Sequence, residues 1–171
     1  MIYDYSAGWG ARLLACAALR KQYICVDSNE KLVLELLEMK QWLKNNVKPL
    51  MLIDINYGDA TQFSPKQRVD MAYSCPPYAD QEKYPGLKYK GYDDWLNNFM
   101  TIIIKNCYQV LRKNGTFVCH LTSRYVDDVV DVVKNNGFTI KTIVDVSNAT
   151  SPLLHRKKII NEKIIVATKN E

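Results

Sequence analysis

Asp4-Tyr5-Ser6-Ala7-Gly8-Trp9-Gly10 closes a short apolar run, residues 2–6, and opens a stretch of good helix formers, residues 11–21. Its glycines let the backbone turn sharply and leave room for a ligand against the main chain. The helix that follows turns its unpaired N–H groups toward that space. Two glycines alone fit a plain strand–helix turn equally well, so the acids downstream decide the reading. Asp27 closes the next apolar run, residues 23–26, where an acid in this layout accepts from ribose hydroxyls. Asp59 follows the third run and is placed to accept from an adenine amine. Together these residues favour a nucleotide-like ligand. The three-glycine dinucleotide pattern and the lysine of a phosphate loop are both missing, which argues against nicotinamide and ATP.

Outward from this passage, strands and helices alternate. A helix carrying Leu32, Leu36, Leu37, Met39 and Leu43 follows Asp27, with Ser28 or Asn29 as its cap. Strands are predicted at 50–55 and 69–75, then a long helix at 93–111 ended by Lys113-Asn114-Gly115. Residues 116–121 form the next strand, 125–135 a helix with Val129, Val132 and Val133 on one side, and 138–146 a strand. A final strand, 162–168, follows a loop with no helix in it. This order predicts an α/β fold with a mostly parallel seven-stranded sheet, and the last connection places an antiparallel strand at the sheet's edge.

Composition narrows the class. The chain has 171 residues, 47% hydrophobic and 24% charged, as expected of a single globular domain over 1–171. No apolar run approaches the roughly 20 residues of a membrane span, and no secretory leader pattern opens the chain. A cytoplasmic protein without membrane association is the expectation. The five cysteines (Cys16, Cys25, Cys75, Cys107 and Cys119) include no C-x-x-C pair, so neither a disulfide framework nor a metal site is expected. Four are read as small buried hydrophobes. A net charge of +5 suits a polyanionic partner without requiring one.

The segment Asp70-Met71-Ala72-Tyr73-Ser74-Cys75-Pro76-Pro77-Tyr78 carries the chemistry. Two prolines after a buried strand stop it abruptly and stiffen the backbone. Such stiffness can aim the Cys75 and Pro76 carbonyls, and the ring of Tyr78, into the cleft at the strand ends. A flat base could stack on that ring while its amine hydrogen-bonds to a carbonyl. In combination with the glycine passage, the chain resembles the amino-methyltransferases of DNA, which carry Asp/Asn/Ser-Pro-Pro-Tyr/Phe/Trp on the fourth strand. Cys75 stands at the position of the acid, amide or serine, and Ser6 replaces the usual aromatic or apolar residue.

The resemblance implies a Rossmann-like class I methyltransferase fold with S-adenosylmethionine as cofactor. It implies Cys75, Pro76, Pro77 and Tyr78 as the catalytic segment. Asp4, Ser6, Ala7, Gly8, Gly10, Asp27, Ser28, Asp59 and Ala60 are the implied cofactor contacts. The expected reaction is methyl transfer to the exocyclic amine of adenine or cytosine in DNA, Cys75 leaving the base open. Cys-Pro-Pro-Tyr sites resemble those of small phage and mobile-element modification enzymes, implying a bacterial or phage-infected cell and a restriction-modification setting. No recognition domain is expected within the sequence, so a homodimer or a separate recognition subunit would supply it.

Cys75 precedes the prolines, and nothing beside it in sequence lowers its pKa, so a covalent cysteine mechanism is disfavoured. Lys83, Tyr84, Lys88, Tyr89 and Lys90 interleave cations with rings after the tetrapeptide, and Arg156 and Lys157 lie in the last loop. These are expected to meet nucleic-acid phosphates and unpaired bases. His120 is read as a satisfied histidine at the core or cleft edge. RNA or a protein amide as substrate is the alternative within the class; an inactive cofactor- or DNA-binding subunit is the alternative outside it.

Overall fold

The computed structural model describes residues 1–48, 51–79, 89–146 and 161–170. Seven strands form one sheet: β1 (Ile2–Asp4), β2 (Tyr23–Asp27), β3 (Ile53–Tyr57), β4 (Val69–Ser74), β5 (Leu111–Thr122), β6 (Phe138–Val146) and β7 (Glu162–Lys169). The order is β3-β2-β1-β4-β5-β7-β6. Strands β1 to β5 pair in parallel, and β7 is antiparallel to both its neighbours. The chain leaves β1 toward β2 and β3, then returns to β4 on the other side of β1. This reversal opens a crevice at the carboxyl ends of β1 and β4.

Helices α1 (Ala11–Ala18) and α2 (Glu30–Asn46) cover β1, β2 and β3. Leu13, Cys16 and Ala17 bury the core face of α1 at three- and four-residue spacing. The other face carries α3 (Tyr92–Trp95), a π-helical turn (Leu96–Met100), α4 (Thr101–Val110) and α5 (Val126–Asn135). Val126, Val129, Val130 and Val133 pack α5 down, Val130 taking the core place expected of Val132. Four cysteines are buried as expected, and Cys75 is half-buried.

Three expectations are corrected. The antiparallel strand β7 is not at the edge: it inserts between β5 and β6, leaving β6 outermost. Strand β7 pairs antiparallel on both sides. Lys113-Asn114-Gly115 does not cap the long helix, which ends at Val110. Val69 pairs with Leu111 and Met71 with Thr116, so 112–115 bulge out of the β4–β5 ladder. Asn114 takes the left-handed conformation there, while a Cβ at Gly115 would meet the Arg112 carbonyl oxygen at 2.8 Å. Finally, α1 stops at Ala18 rather than at residue 21, with Arg20 in the left-handed region.

Candidate active site

The β1 end is built around a buried carboxylate. Asp4 is fully buried, and it accepts from Arg12 Nε at 2.6 Å, Tyr23 Oη at 2.6 Å, Ser74 Oγ at 2.8 Å and the Ser6 amide at 3.2 Å. A buried charge is tolerated only when paired and bonded in this way. Asp4 is not among the residues that line the cleft described below; it ties β1, β2 and β4 to the first turn of α1. Arg12 also donates through Nη2 to the Ser6 carbonyl, and its guanidinium lies 5.8 Å from the Tyr73 ring centre. Burial opposes the Arg12 charge, but Asp4 outweighs it and holds the guanidinium protonated.

The glycine passage is fixed to β2. The Ala7 amide donates to the Val26 carbonyl at 3.2 Å, and the Gly8 amide to Asp27 Oδ2 at 3.0 Å. Asp27 Oδ1 accepts from the Asn29 amide at 2.9 Å, and the Gly58 amide donates to the Asp27 carbonyl at 3.0 Å. Asn29 caps α2 by accepting from Leu32. Gly8 and Gly10 both have positive φ, 60° and 84°. A Cβ at Gly10 would approach the Leu36 and Met39 side chains at 3.0 Å, so glycine serves both the turn and the packing of α1 on α2.

At the β4 end the prolines are buried and Tyr78 is half-buried. Trp95 Nε1 donates to the Pro77 carbonyl at 2.8 Å, and Tyr89 Oη to the Tyr78 carbonyl at 3.3 Å. The Tyr78 ring lies against Tyr125 with centroids 5.7 Å apart, and Tyr125 stacks on Tyr92 at 5.6 Å. Cys75 Sγ and Tyr78 Oη are 3.5 Å apart. Burial pushes the Cys75 thiol pKa up, with Tyr78 and Arg12 offsetting only part of the rise. The Tyr78 hydroxyl is likewise raised by burial and by Cys75. Both groups stay protonated near neutral pH.

These two ends share one cleft of about 360 Å³. Ser6, Ala7, Gly8, Asp27, Ser28 and Ala60 line it from the first half, Cys75 and Pro77 from the second. Gly10, Pro76 and Tyr78 are not in the lining, and Tyr78 contacts it through Cys75. Asp59 is exposed at the rim, where it accepts from the Thr61 amide and hydroxyl, each at 2.8 Å. Its neighbours Gly58 and Ala60 face the cleft. Arg12, Trp9 and Phe99 line the cleft without having been singled out in the sequence. Arg12 had one usable signal, a cation in the first turn of the helix opened by the glycines.

His120 Nε2 lies 3.0 Å from Glu162 Oε2, away from the lining. Lys83, Tyr84, Lys88, Arg156 and Lys157 lie outside the described residues. Lys90 is exposed, and Tyr89 packs on Phe99 at 5.6 Å. Among the described residues no group of three or more His, Cys, Asp or Glu could hold a metal ion, and no helix is long and apolar enough to cross a membrane.

The profile of the N6/N4 DNA methylase family matches residues 69–171, from β4 onward. The chain belongs to this family. Its fold is also that of solved methyltransferases. A methyltransferase from Pyrococcus furiosus superposes with a TM-score of 0.69 at 13% identity, over 100% of this chain and 75% of that one. Magnesium protoporphyrin IX methyltransferase (ChlM) from Synechocystis PCC 6803, solved with bound S-adenosylhomocysteine, gives 0.71 at 12% identity, over 99% and 74%. The N-methyltransferase NodS from Bradyrhizobium japonicum WM9 gives 0.68 at 13% identity, over 99% and 85%. No curated protein sequence matches the chain.

Family membership makes the chain a methyltransferase, with S-adenosylmethionine as methyl donor. The residues present fit that donor. Gly8 and Ala7 leave main chain open along the cleft, Asp27 offers a carboxylate fixed by two amides, and Arg12 offers a cation.

Proposed function

We propose that this methyltransferase acts on the exocyclic amine of adenine or cytosine in DNA. The observation that carries the reading is the placement of Cys75 and Pro77 in the lining of the glycine-loop cleft, with Tyr78 next to them in a fixed aromatic group. An amine held there lies within reach of the donor site. When bound, S-adenosylmethionine supplies an electrophilic methyl group; alignment of the acceptor falls to the chain.

The Trp95 bond to the Pro77 carbonyl fixes the tetrapeptide's backbone. In this reading the Cys75 and Pro76 carbonyls accept hydrogen bonds from the target amine. They draw its lone pair out of ring conjugation and stabilise the positive charge growing on nitrogen. Tyr78 offers a face for the base, which a duplex would have to release by flipping. Positioning of this kind is enough to supply much of the rate. The high pKa of Cys75 supports direct transfer, because a thiol kept protonated is a poor nucleophile.

The test is incubation with methyl-labelled S-adenosylmethionine and DNA, followed by mass analysis of the nucleosides. N6-methyladenine or N4-methylcytosine is the expected product. Label found in RNA or protein, with none in DNA, would replace the substrate.

A further inference from the structure

Among the described residues lining the cleft, Arg12 is the only cation and Asp27 the only anion. They come from different strand ends, Asp27 closing β2 and Arg12 lying in the first turn of α1 after β1. The Arg12 guanidinium is held at two of its nitrogens. Nε is held by the buried Asp4, and Nη2 by the Ser6 carbonyl, with Ser74 Oγ at 3.4 Å. No described residue accepts from Nη1. The side chain is 22% exposed, so its charge is only partly hydrated.

We propose that Nη1 of Arg12 anchors the α-carboxylate at the amino-acid end of the methyl donor. This inference rests on S-adenosylmethionine being that donor. Asp27 is an acceptor that repels a carboxylate and attracts hydroxyl groups; Arg12 is a donor that does the reverse. A ligand with a ribose at one end and a carboxylate at the other can satisfy both only in one direction. The pair thus sets the polarity of binding, and Asp4 holds Arg12 in place before the ligand arrives. Preorganisation of that kind lowers the cost of binding. Asp4, buried and absent from the cleft lining, acts as the positioning residue for Arg12.

Calorimetric binding of S-adenosylhomocysteine, compared with its decarboxylated analogue, tests this without turnover. The wild-type chain is expected to bind the analogue roughly tenfold or more weakly, the size of one charge-assisted hydrogen bond. Arg12→Gln should weaken S-adenosylhomocysteine alone and shrink that gap to about twofold or less. Because Arg12→Gln leaves Asp4 buried without its ion pair, Asp4→Asn/Arg12→Gln, which removes both charges, should give the same collapse in a better-tolerated background. Equal binding of both ligands by the wild-type chain overturns the inference, as does a gap that survives in either variant. Absence of S-adenosylhomocysteine binding to folded wild-type protein overturns the donor itself, a distinct result.

Discussion

At the β1 end of the cleft, a carboxylate, a guanidinium and main-chain amides hold one another; at the β4 end, packed rings do the holding, with an indole and a phenol bonded to main-chain carbonyls. Asp4, Arg12, Tyr23 and Ser74 form a closed set of charged and polar bonds. Tyr78, Tyr125, Tyr92 and Trp95 form a set with ring centres 4.9 to 5.8 Å apart. Charged bonds are directional and suit a ligand with fixed donors and acceptors. Ring contacts are broad and suit a flat acceptor whose face matters more than its edge. On the proposed function, the first half recognises the donor and the second aligns the acceptor. Removing a residue from one half should therefore leave the function of the other almost intact.

The largest effect expected on that division is at Tyr78. Tyr78→Ala should lower the rate of methyl transfer by about 100-fold or more, because the acceptor loses its alignment. Its affinity for S-adenosylhomocysteine, read by calorimetry, should change by less than about twofold. A matching fall in that affinity would show that the aromatic half also holds the donor. Asp27→Ala is the converse case. It removes the acceptor of the Gly8 and Asn29 amides, and donor affinity should fall roughly tenfold or more. Binding of a DNA oligonucleotide, measured by fluorescence anisotropy, should barely move.

A smaller effect, on stability, is expected at the turn that opens α1. Gly10→Ala forces a Cβ into the left-handed region and toward Leu36 and Met39. The conformational part alone is worth about 1–2 kcal/mol. Thermal unfolding should shift downward by roughly 2–4 °C per kcal/mol in a domain of this size. Gly8→Ala is the control, since Gly8 also has positive φ but its added Cβ would meet only ordinary contacts, at 3.7 and 3.9 Å. If both variants lose the same stability, the contact with α2 contributes nothing beyond the backbone strain.

The sequence shows the aromatic half more clearly than the polar one. Pro76 and Pro77 end β4 by local chemistry, and the glycines open α1 by local chemistry, so both strand ends can be read directly. The role of Asp4 cannot. It depends on Tyr23 from β2, Ser74 from β4 and Arg12 from α1 converging on one buried point, and no short pattern records that convergence. An acid beside a glycine loop reads from the sequence as a ligand contact, and its bonds to three other elements become visible only in the fold. The misplaced helix end has a similar cause. Gly115 is required by the closeness of Arg112 and Leu111, not by a helix cap, and closeness is invisible to periodicity. The position of β7 in the sheet was hidden for the same reason, since alternation gives direction but not neighbour order.

Cys75 lies where the two halves meet, close enough to Arg12 for the cation to pull on its pKa and bonded to the Tyr78 hydroxyl. Its net shift decides whether it is a participant or a spacer. Burial raises the thiol's pKa above the ordinary value, so at any given pH its thiolate fraction is below that of a free cysteine. Alkylation by iodoacetamide at pH 8 should therefore be slower at Cys75 than in a denatured control, and should climb as pH rises past the usual thiol range. The four buried cysteines should stay unmodified until the protein unfolds. Cys75→Ser keeps a small hydroxyl within reach of Tyr78 and should alter turnover by less than about threefold, whereas loss of a true nucleophile costs several orders of magnitude. A fall of that size, together with faster alkylation than the denatured control, would make the thiol a covalent catalyst and end the assignment of this half to alignment alone.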